Sequence, residues 1–223
     1  MTNLEAVIFD MDGVIFDTER ICLESWKQAG VNYGLTGLDE FFPSCIGSTK
    51  EATRQLFLER YGEDFPYVQF RADAAVFFRQ AAVPDGFPKK KGVVRLLTYL
   101  KERGITTAVA SSTALELVKN ELEDACLLKF FDTVVGGDCV THSKPHPEIF
   151  LHCVELLGTK KETSLVIEDS YNGVNAAGAA GIRCIMVPDM LPPTNETNAI
   201  AWKTLPSLDE ATELLQNNKT EYN

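Results

Sequence analysis

Two short apolar runs of this sequence each end at a pair of acidic residues. Residues 6–9 are followed by Asp10 and Asp12, and residues 165–167 are followed by Glu168 and Asp169. Short runs rich in Val and Ile are typical of buried strands in a parallel sheet. Asp and Gly are also ordinary turn residues, so the first pair alone would equally fit a plain strand-to-loop turn. Two such pairs favour a ligand site, because ligands of open α/β sheets bind beyond the carboxyl ends of the strands.

The two acidic pairs would lie at the same edge if both strands belong to one parallel sheet. Two unit charges about 4 Å apart repel each other by roughly 4 kcal/mol at an effective dielectric constant near 20. A cluster of up to four carboxylates therefore needs a cation, and oxygen ligands suit Mg²⁺ best. The spacing predicts a magnesium site at this edge of the sheet.

Residues 18–83 differ in pattern from the segments on either side. They show helical periodicity and no strand pattern, with one helix predicted over 65–82. Ser48 and Glu51 form a capping-box pattern, which predicts the start of another helix. We expect a small helical domain inserted after the first strand and bounded by the turn-rich stretch 84–88.

From residue 92 the chain alternates between helical and strand patterns, which is typical of a parallel sheet with helices on both faces. After Pro188 the sequence is loop-like until a last helix that Ser207 and Glu210 cap, and a frayed tail is expected from Asn217. The predicted fold is an α/β, Rossmann-like parallel sheet with an inserted helical cap. The predicted domains are the α/β core, residues 1–17 and 84–223, and the helical cap, residues 18–83.

Composition disfavours several classes of partner. The net charge is −11, with 32 acidic against 21 basic residues, whereas nucleic-acid backbones bind clustered Lys and Arg. No apolar run approaches the roughly 18 residues of a membrane span, so no membrane contact is expected. The six cysteines are scattered without a CxxC pair, and no export signal is expected. These features predict reduced thiols in a cytoplasmic protein, which we expect to be a monomer or a weak oligomer.

Four stretches of the sequence match, in order, the motifs of one enzyme superfamily. They are FDMDGV at 9–14 with DTE at 17–19, ASS at 110–112, SKP at 143–145, and EDS at 168–170 with NG at 172–173. In these motifs the chain resembles the haloacid dehalogenase-like phosphatases. The residues of these four motifs are most similar to those of the β-phosphoglucomutase-like branch of the superfamily, which includes many sugar-phosphate phosphatases. A single Asp-x-Asp motif would not identify a superfamily, whereas four motifs in the same order are specific for this one.

The resemblance implies a role for each acidic residue of the two pairs. Asp10 is the candidate nucleophile that would form an aspartyl-phosphate. The alternative is that Asp10 only binds metal. Asp12 is the candidate general acid and base, with a structural turn residue as the alternative. In the resembling family one Mg²⁺ is held by the Asp10 carboxylate, the Asp12 main-chain carbonyl and Asp169, which leaves Glu168 outside the direct ligands.

The resemblance also implies phosphate-binding residues. Lys144 would neutralise the transferring phosphoryl group, although most single lysines are solvated surface charges. Ser111, with Ser112 as a second member, would bind phosphate oxygens, while Ser111 also fits the N-cap of the next helix. The three histidines lack the spacing of a zinc site and are expected at the surface. They are His142, His146 and His152.

Substrate choice would depend on the cap, where the candidate substrate-binding residues are Glu19, Cys22 and Lys50. In the resembling mutases a histidine lies near the position of Cys22, and an arginine corresponds best to Lys50. A thiol cannot carry a proton as histidine does near pH 7, and lysine lacks the bidentate fork of arginine. These two departures favour a hydrolase over a mutase.

The sequence therefore predicts a Mg²⁺-dependent phosphatase that hydrolyses small phosphomonoesters, such as sugar phosphates, through an aspartyl-phosphate. Its partner would be a small phosphorylated metabolite. A phosphomutase of the β-phosphoglucomutase type is the first alternative. A catalytically silent interaction protein on the same fold is the second, although all motif residues needed for catalysis are present.

Overall fold

The computed structural model describes residues 4–82 and 86–217. Its strands are β1 (Ala6–Phe9), β2 (Thr106–Ala110), β3 (Thr133–Val135), β4 (Ser164–Glu168), β5 (Arg183–Met186) and β6 (Lys203–Thr204). In the described residues these six strands form one sheet of order β3-β2-β1-β4-β5-β6, and every neighbouring pair is parallel. The order reverses beside β1, and open α/β sheets bind their ligands at such a point.

Helices cover both faces of this sheet. The α-helices are α1 (Glu19–Gly30), α2 (Leu38–Phe41), α3 (Lys50–Tyr61), α4 (Tyr67–Ala82), α5 (Val93–Glu102), α6 (Leu115–Asp124), α7 (Glu148–Leu157), α8 (Tyr171–Ala180), α9 (Asn195–Ile200) and α10 (Leu208–Asn217). Val7 and Phe9 face α5, α6 and α10, whereas Ile8 faces α7 and α8. The predicted α/β, Rossmann-like parallel sheet is confirmed. None of the described helices is both long and apolar enough to cross a membrane.

Helices α1 to α4, inserted between β1 and α5, pack around an aromatic core of their own. Trp26 lies edge-on to Phe57 and Phe70, with ring centroids 5.0 and 6.1 Å apart, and all three rings are buried. Edge-to-face contacts of this kind are favourable in addition to the area that they bury. The inserted helical cap of the predicted fold is therefore present. The domain limits at 17/18 and 83/84 stay a prediction, and the second limit lies outside the described residues.

The two connections between the cap and the sheet run side by side. Asp17 N donates to Pro88 O at 2.8 Å, and Lys90 N donates to Ile15 O at 2.9 Å. The Lys90 ammonium also pairs with the carboxylates of Asp17, at 3.3 Å, and Asp189, at 2.9 Å. Because Asp189 follows β5, this lysine ties both connections to the edge of the sheet.

The start of α3 differs from the prediction. Its N-cap is Thr49, whose Oγ1 accepts a hydrogen bond from Ala52 N at 3.3 Å, rather than Ser48. Both hydroxyl residues precede the helix and both are good N-caps, so the sequence pattern alone does not separate them.

The segment after Pro188 contains α9 and β6 and is not the predicted loop. Elements of six and two residues are too short to show a period in the sequence. Ser207 caps the start of α10 as predicted, since its Oγ accepts a hydrogen bond from Asp209 N at 3.1 Å. Glu210 contacts the Ser207 hydroxyl, which donates to its carboxylate. The predicted frayed tail begins at Asn217, which is instead the last residue of α10, and the residues after it lie outside the described part of the chain.

Candidate active site

Lys144 extends from the loop before α7 into the edge of the sheet. Its Nζ donates to Asp10 Oδ1 at 2.5 Å, to Glu168 Oε1 at 2.7 Å and to Ala110 O at 3.0 Å. Only 1% of the side chain is exposed. Each of the three ammonium hydrogens therefore has an acceptor at the end of β1, β2 or β4, which makes the burial of this charge tolerable.

The buried charges around Lys144 do not balance. Burial lowers the pKa of Lys144, but the charges of Asp10 and Glu168 outweigh burial and raise that pKa, so the ammonium stays charged. Burial raises the pKa of Asp10 to about 8, with Lys144 opposing the rise. Burial, followed by the charges of Glu168 and Asp10, raises the pKa of Asp169 well above its ordinary value. Three carboxylates around one ammonium leave the site short of positive charge.

The carboxylates of Asp10, Glu168 and Asp169 have ligand oxygens within 4.8 Å of one another. Both oxygens of Glu168 already have donors, since Oε1 accepts from Lys144 and Oε2 accepts from the backbone N–H groups of Asp169 and Ser170, each at 2.8 Å. Asp169 Oδ2, in contrast, is buried and has no hydrogen-bond partner. A buried polar atom of this kind is destabilising unless an ion or a water binds it. These residues therefore fit a divalent cation with oxygen ligands.

Two glycines allow the backbone to approach these carboxylates closely. Gly13 has a φ of +82°, and a Cβ at this position would collide with Asp169 Oδ2. A Cβ at Gly173, in the first turn of α8, would collide with Glu168 Oε1. A side chain at either position would displace a carboxylate, which explains why a glycine follows each acidic pair.

Asp12 is held by hydroxyl groups at the edge of the site. Its Oδ1 accepts a hydrogen bond from Thr18 Oγ1 at 2.9 Å, and the Thr113 side chain also hydrogen-bonds to it. Burial raises the pKa of Asp12, and these hydrogen bonds oppose the rise. Asp12 therefore keeps its proton to a higher pH than an exposed aspartic acid, which suits a general acid.

A cavity of about 560 Å³ lies between the cap and the sheet. The predicted site residues in its wall are Asp10, Asp12, Ser111 and Ser112 from the core, and Glu19 and Cys22 from the cap. Lys144, Glu168 and Asp169 are buried beside Asp10 and do not form part of that wall. Lys50 is not brought to the cavity, because it is an exposed residue at the start of α3.

The two serines after β2 make different contacts. Ser111 Oγ accepts a hydrogen bond from Thr113 N at 3.1 Å, and α6 begins only at Leu115, after this turn. The N-cap of α6 is Ala114, so Ser111 is not its cap. Ser112 Oγ donates to Gly47 O of the cap at 3.1 Å. Ser112 thus joins the core to the cap across the cavity.

The family model for haloacid dehalogenase-like hydrolases matches residues 7–187. The chain belongs to this family. The phosphorylated carbohydrates phosphatase of Thermotoga maritima is 33% identical over 187 residues, which cover 82% of this chain and 84% of that protein. Hexitol phosphatase B of Escherichia coli is 29% identical, with coverage of 93% and 94%. The structure of CbbY from Rhodobacter sphaeroides in complex with phosphate is 26% identical with a TM-score of 0.78, and the match covers 93% and 96% of the two chains.

Arg71 of this hydrolase lines the cavity but is absent from the residues predicted from sequence. Its guanidinium lies 5.0 Å from the centroid of the Trp26 ring and hydrogen-bonds to the Cys22 thiol. No carboxylate of the described residues forms an ion pair with it. Arg71 shares a face of α4 with Ala74 and Phe78, which also line the cavity at helical spacing, and this spacing is the signal in the sequence.

Burial raises the pKa of two of the predicted cap residues, Cys22 and Glu19. Burial raises the pKa of Cys22 to about 12, with Arg71 opposing the rise, so the group is a neutral thiol. Burial, with Asp12 and Asp10 adding to it, raises the pKa of Glu19 well above its ordinary value. Glu19 of the hydrolase therefore faces the cavity with a carboxyl group that keeps its proton to a higher pH than an exposed glutamic acid does.

The three histidines of the hydrolase lie at the surface, as expected. The side chains of His142 and His146 are 63% and 50% exposed, and that of His152 is 36% exposed. His142 and His146 lie on either side of Lys144 in the sequence, while Lys144 itself points inward to Asp10.

Proposed function

We propose that this hydrolase is a Mg²⁺-dependent phosphatase of small phosphomonoesters, with sugar phosphates as its candidate substrates. The observation that carries the proposal is the contact between Lys144 and Asp10, whose carboxylate is in the wall of the cavity. A carboxylate nucleophile beside a buried ammonium suits attack on a negatively charged phosphoryl group. The names of the two relatives, a phosphorylated carbohydrates phosphatase and a hexitol phosphatase, support this substrate class.

The proposed reaction has two steps at phosphorus. In the first step a carboxylate oxygen of Asp10 bonds to phosphorus, and the bond from phosphorus to the ester oxygen breaks. Asp12 gives its proton to that oxygen, so the product leaves as an alcohol. In the second step water attacks the aspartyl-phosphate while Asp12 takes a proton from the water, which restores Asp10 and releases inorganic phosphate. Two easier substitutions thus replace a difficult one.

The groups around Asp10 stabilise the negative charge of the transferred phosphoryl group. The Lys144 ammonium stabilises negative charge on the phosphoryl oxygens, and Ser111 offers them its hydroxyl. The carboxylates of Asp10 and Asp169 and the main-chain carbonyl of Asp12 would hold Mg²⁺, with Glu168 outside the direct ligands. When bound, Mg²⁺ supplies positive charge that offsets the charge of the phosphoryl group.

The chemistry of Cys22 favours hydrolysis over a mutase reaction. A mutase must keep water away from the phosphorylated Asp10 and must take a proton from a particular sugar hydroxyl. A thiol whose pKa is about 12 does not act as a base near neutral pH. A catalytically silent role is disfavoured, because Asp10, Asp12 and Lys144 are all present and Lys144 contacts Asp10.

Release of inorganic phosphate from a panel of hexose, pentose and hexitol phosphates tests the proposal. We expect turnover with Mg²⁺ and its loss in excess EDTA. Asp10→Asn replaces the nucleophile by an amide of the same shape, so we expect neither turnover nor a phosphorylated chain by intact mass measurement. Full turnover of metal-stripped protein in EDTA would contradict the Mg²⁺ requirement. Wild-type rates in Asp10→Asn would contradict the nucleophile.

The choice between hydrolase and mutase needs a separate measurement. The protein is incubated with β-glucose 1-phosphate and a trace of the bisphosphate, and both products are followed. Free phosphate as the main product supports the hydrolase. Accumulation of glucose 6-phosphate without free phosphate would show that the intermediate passes to a sugar hydroxyl, and the mutase would replace the present proposal.

A further inference from the structure

Two histidines and a glutamate meet on the outer side of the loop that carries Lys144. His142 Nδ1 lies 2.9 Å from Glu148 Oε2, and His146 Nδ1 lies 3.8 Å from the same oxygen. The centroids of the two imidazole rings are 4.6 Å apart. Each of the three residues offers one ligand atom, and these atoms all lie within 4.8 Å of one another. The proposed phosphatase reaction uses none of these three side chains.

The carboxylate of this group is fixed by the backbone around it. Glu148 Oε1 accepts a hydrogen bond from Thr141 N at 2.8 Å, and Oε2 accepts one from His142 N at 2.9 Å. A cation that binds Glu148 therefore does not need to order this side chain first.

We infer that His142, His146 and Glu148 form a second metal site, which binds a divalent transition-metal ion such as Zn²⁺. The expectation from the histidine spacing alone is thereby revised, because the third ligand is the Glu148 carboxylate. Imidazole nitrogen and carboxylate oxygen are both ordinary zinc ligands, whereas Mg²⁺ strongly prefers oxygen. The donor set thus separates this site from the all-oxygen cluster of Asp10, Glu168 and Asp169. Ligand atoms about 2.1 Å from one tetrahedral ion lie about 3.4 Å from one another. His146 Nδ1, which is 3.8 Å from Glu148 Oε2, would therefore move slightly toward that oxygen, and His142 Nδ1, which is 2.9 Å from it, would move slightly away. Both histidines are at least half exposed and can turn to make these adjustments.

The position of this site predicts that a bound metal ion stabilises the loop that carries Lys144. His142 and His146 each lie two residues from Lys144, so an ion bound to both holds the two ends of the loop that presents Lys144 to Asp10. Binding to the folded chain alone raises its thermal stability. The N-terminal end of α7 disfavours a cation through its partial positive charge. The negative charge of Glu148 offsets this effect and makes the site depend on all three residues.

Titration calorimetry with Zn²⁺ tests the site. The parent protein carries Cys126→Ser and Cys139→Ser, because both thiols are exposed and would bind zinc themselves. The titration is done in excess Mg²⁺, which occupies the oxygen cluster. We expect one Zn²⁺ per chain and a rise in melting temperature on binding. His142→Ala and His146→Ala should each weaken binding by at least about tenfold and remove the rise in melting temperature.

His152→Ala is the matched control, since His152 is a surface histidine on α7 that lies outside the group. We expect this variant to bind Zn²⁺ as the parent does. Unchanged binding in the double variant His142→Ala/His146→Ala would overturn the inference. Equal weakening by His152→Ala would also overturn it. Loss of zinc binding in Asp169→Asn, with the histidines intact, would place the ion in the oxygen cluster and overturn it as well.

Discussion

Thr18 Oγ1 donates a hydrogen bond of 2.9 Å to Asp12 Oδ1. Thr18 is the N-cap of α1, the first helix of the cap, whereas Asp12 follows β1 of the core. Burial raises the pKa of Asp12, and this bond opposes the rise. The candidate proton donor is therefore oriented by a residue at the start of the cap, so the placement of the cap and the acidity of Asp12 are linked.

Thr18→Val removes this hydrogen bond while keeping the shape of the side chain. A hydrogen bond to an ionised group contributes about 1.5–3 kcal/mol, so we expect kcat to fall by about 10- to 100-fold. Because the bond opposes the rise in the pKa of Asp12, its loss raises that pKa further. The alkaline limb of the pH–rate profile, where the acid loses its proton, should move to higher pH. Thr18→Ser keeps a hydroxyl group, so kcat and the pH of the alkaline limb should both stay close to the wild-type values. An unmoved alkaline limb in Thr18→Val would show that Thr18 does not act on Asp12.

Asp169→Asn tests the magnesium site by a measurement other than activity. The Oδ2 atom of Asp169 is buried without a hydrogen-bond partner, and this feature indicates a cation site. We expect Mg²⁺ affinity, measured by calorimetry, to fall by at least about tenfold. The metal-free variant should melt at a higher temperature than the metal-free wild type, because a buried carboxylate without a counter-ion is costly. Asp39→Asn, at an exposed carboxylate of the cap, serves as the control. Unchanged Mg²⁺ affinity in Asp169→Asn would remove this residue from the site.

The acidic edge of the sheet is predictable from sequence because it depends on two local patterns and one topological rule. Each apolar run forms a strand, and Phe9 pairs with Ile167 in parallel register. That pairing brings Asp10 and Asp169 to the same edge of the sheet. The burial of Lys144 has no such local signal, since it is 134 residues from Asp10 in the sequence. Only the resemblance to the family pointed to Lys144.

The wall that the cap contributes is less predictable for a physical reason. Helical periodicity shows which face of a helix is apolar, but the orientation of one helix toward another domain depends on packing between distant segments. The place of Lys50 in the sequence therefore predicts a substrate-binding residue of the cap, yet Lys50 is exposed and lies outside the cavity. Arg71 lines the cavity instead, because α4 packs against α1 and turns this side chain toward Trp26.

Glu121 makes the stability of the fold depend on pH. Burial, followed by the charges of Asp12 and Asp124, raises the pKa of Glu121 from 4.5 to about 8. The folded chain thus holds this proton more tightly than the unfolded chain does. The resulting stabilisation is complete below about pH 4.5 and is lost as the pH rises through about 8. In Glu121→Gln the melting temperature should fall less between pH 5 and pH 8.5 than in the wild type.

The matched control for this comparison is Glu123→Gln, at an exposed carboxylate on the same helix. Its melting temperature should follow the wild-type dependence on pH. Differential scanning calorimetry in EDTA at constant ionic strength separates the effect from Mg²⁺ binding. Parallel curves for Glu121→Gln and the wild type would mean that the Glu121 carboxyl group titrates alike in both states.

Arg71 should select substrates by the charge of the group at the end opposite to the phosphoryl group. A half-buried guanidinium that faces the cavity without a carboxylate partner is suited to bind an anionic group of the ligand. The two test substrates are 3-phosphoglycerate and glycerol 3-phosphate, which differ in having a carboxylate or a hydroxymethyl group at the same end. In Arg71→Gln we expect kcat/KM for the carboxylate substrate to fall by about tenfold more than for the alcohol.

The ratio of the two kcat/KM values isolates this interaction, because both substrates present the same phosphoryl group to Asp10 and any general loss of activity cancels. Arg54→Gln removes a cap arginine that forms only a surface ion pair with Glu51, so it should leave the ratio unchanged. Arg71→Lys keeps the charge without the planar fork and should restore part of the ratio. If Arg71→Gln lowers kcat/KM equally for both substrates, Arg71 stabilises the cap through its contact with Trp26 and does not distinguish substrates by their charge.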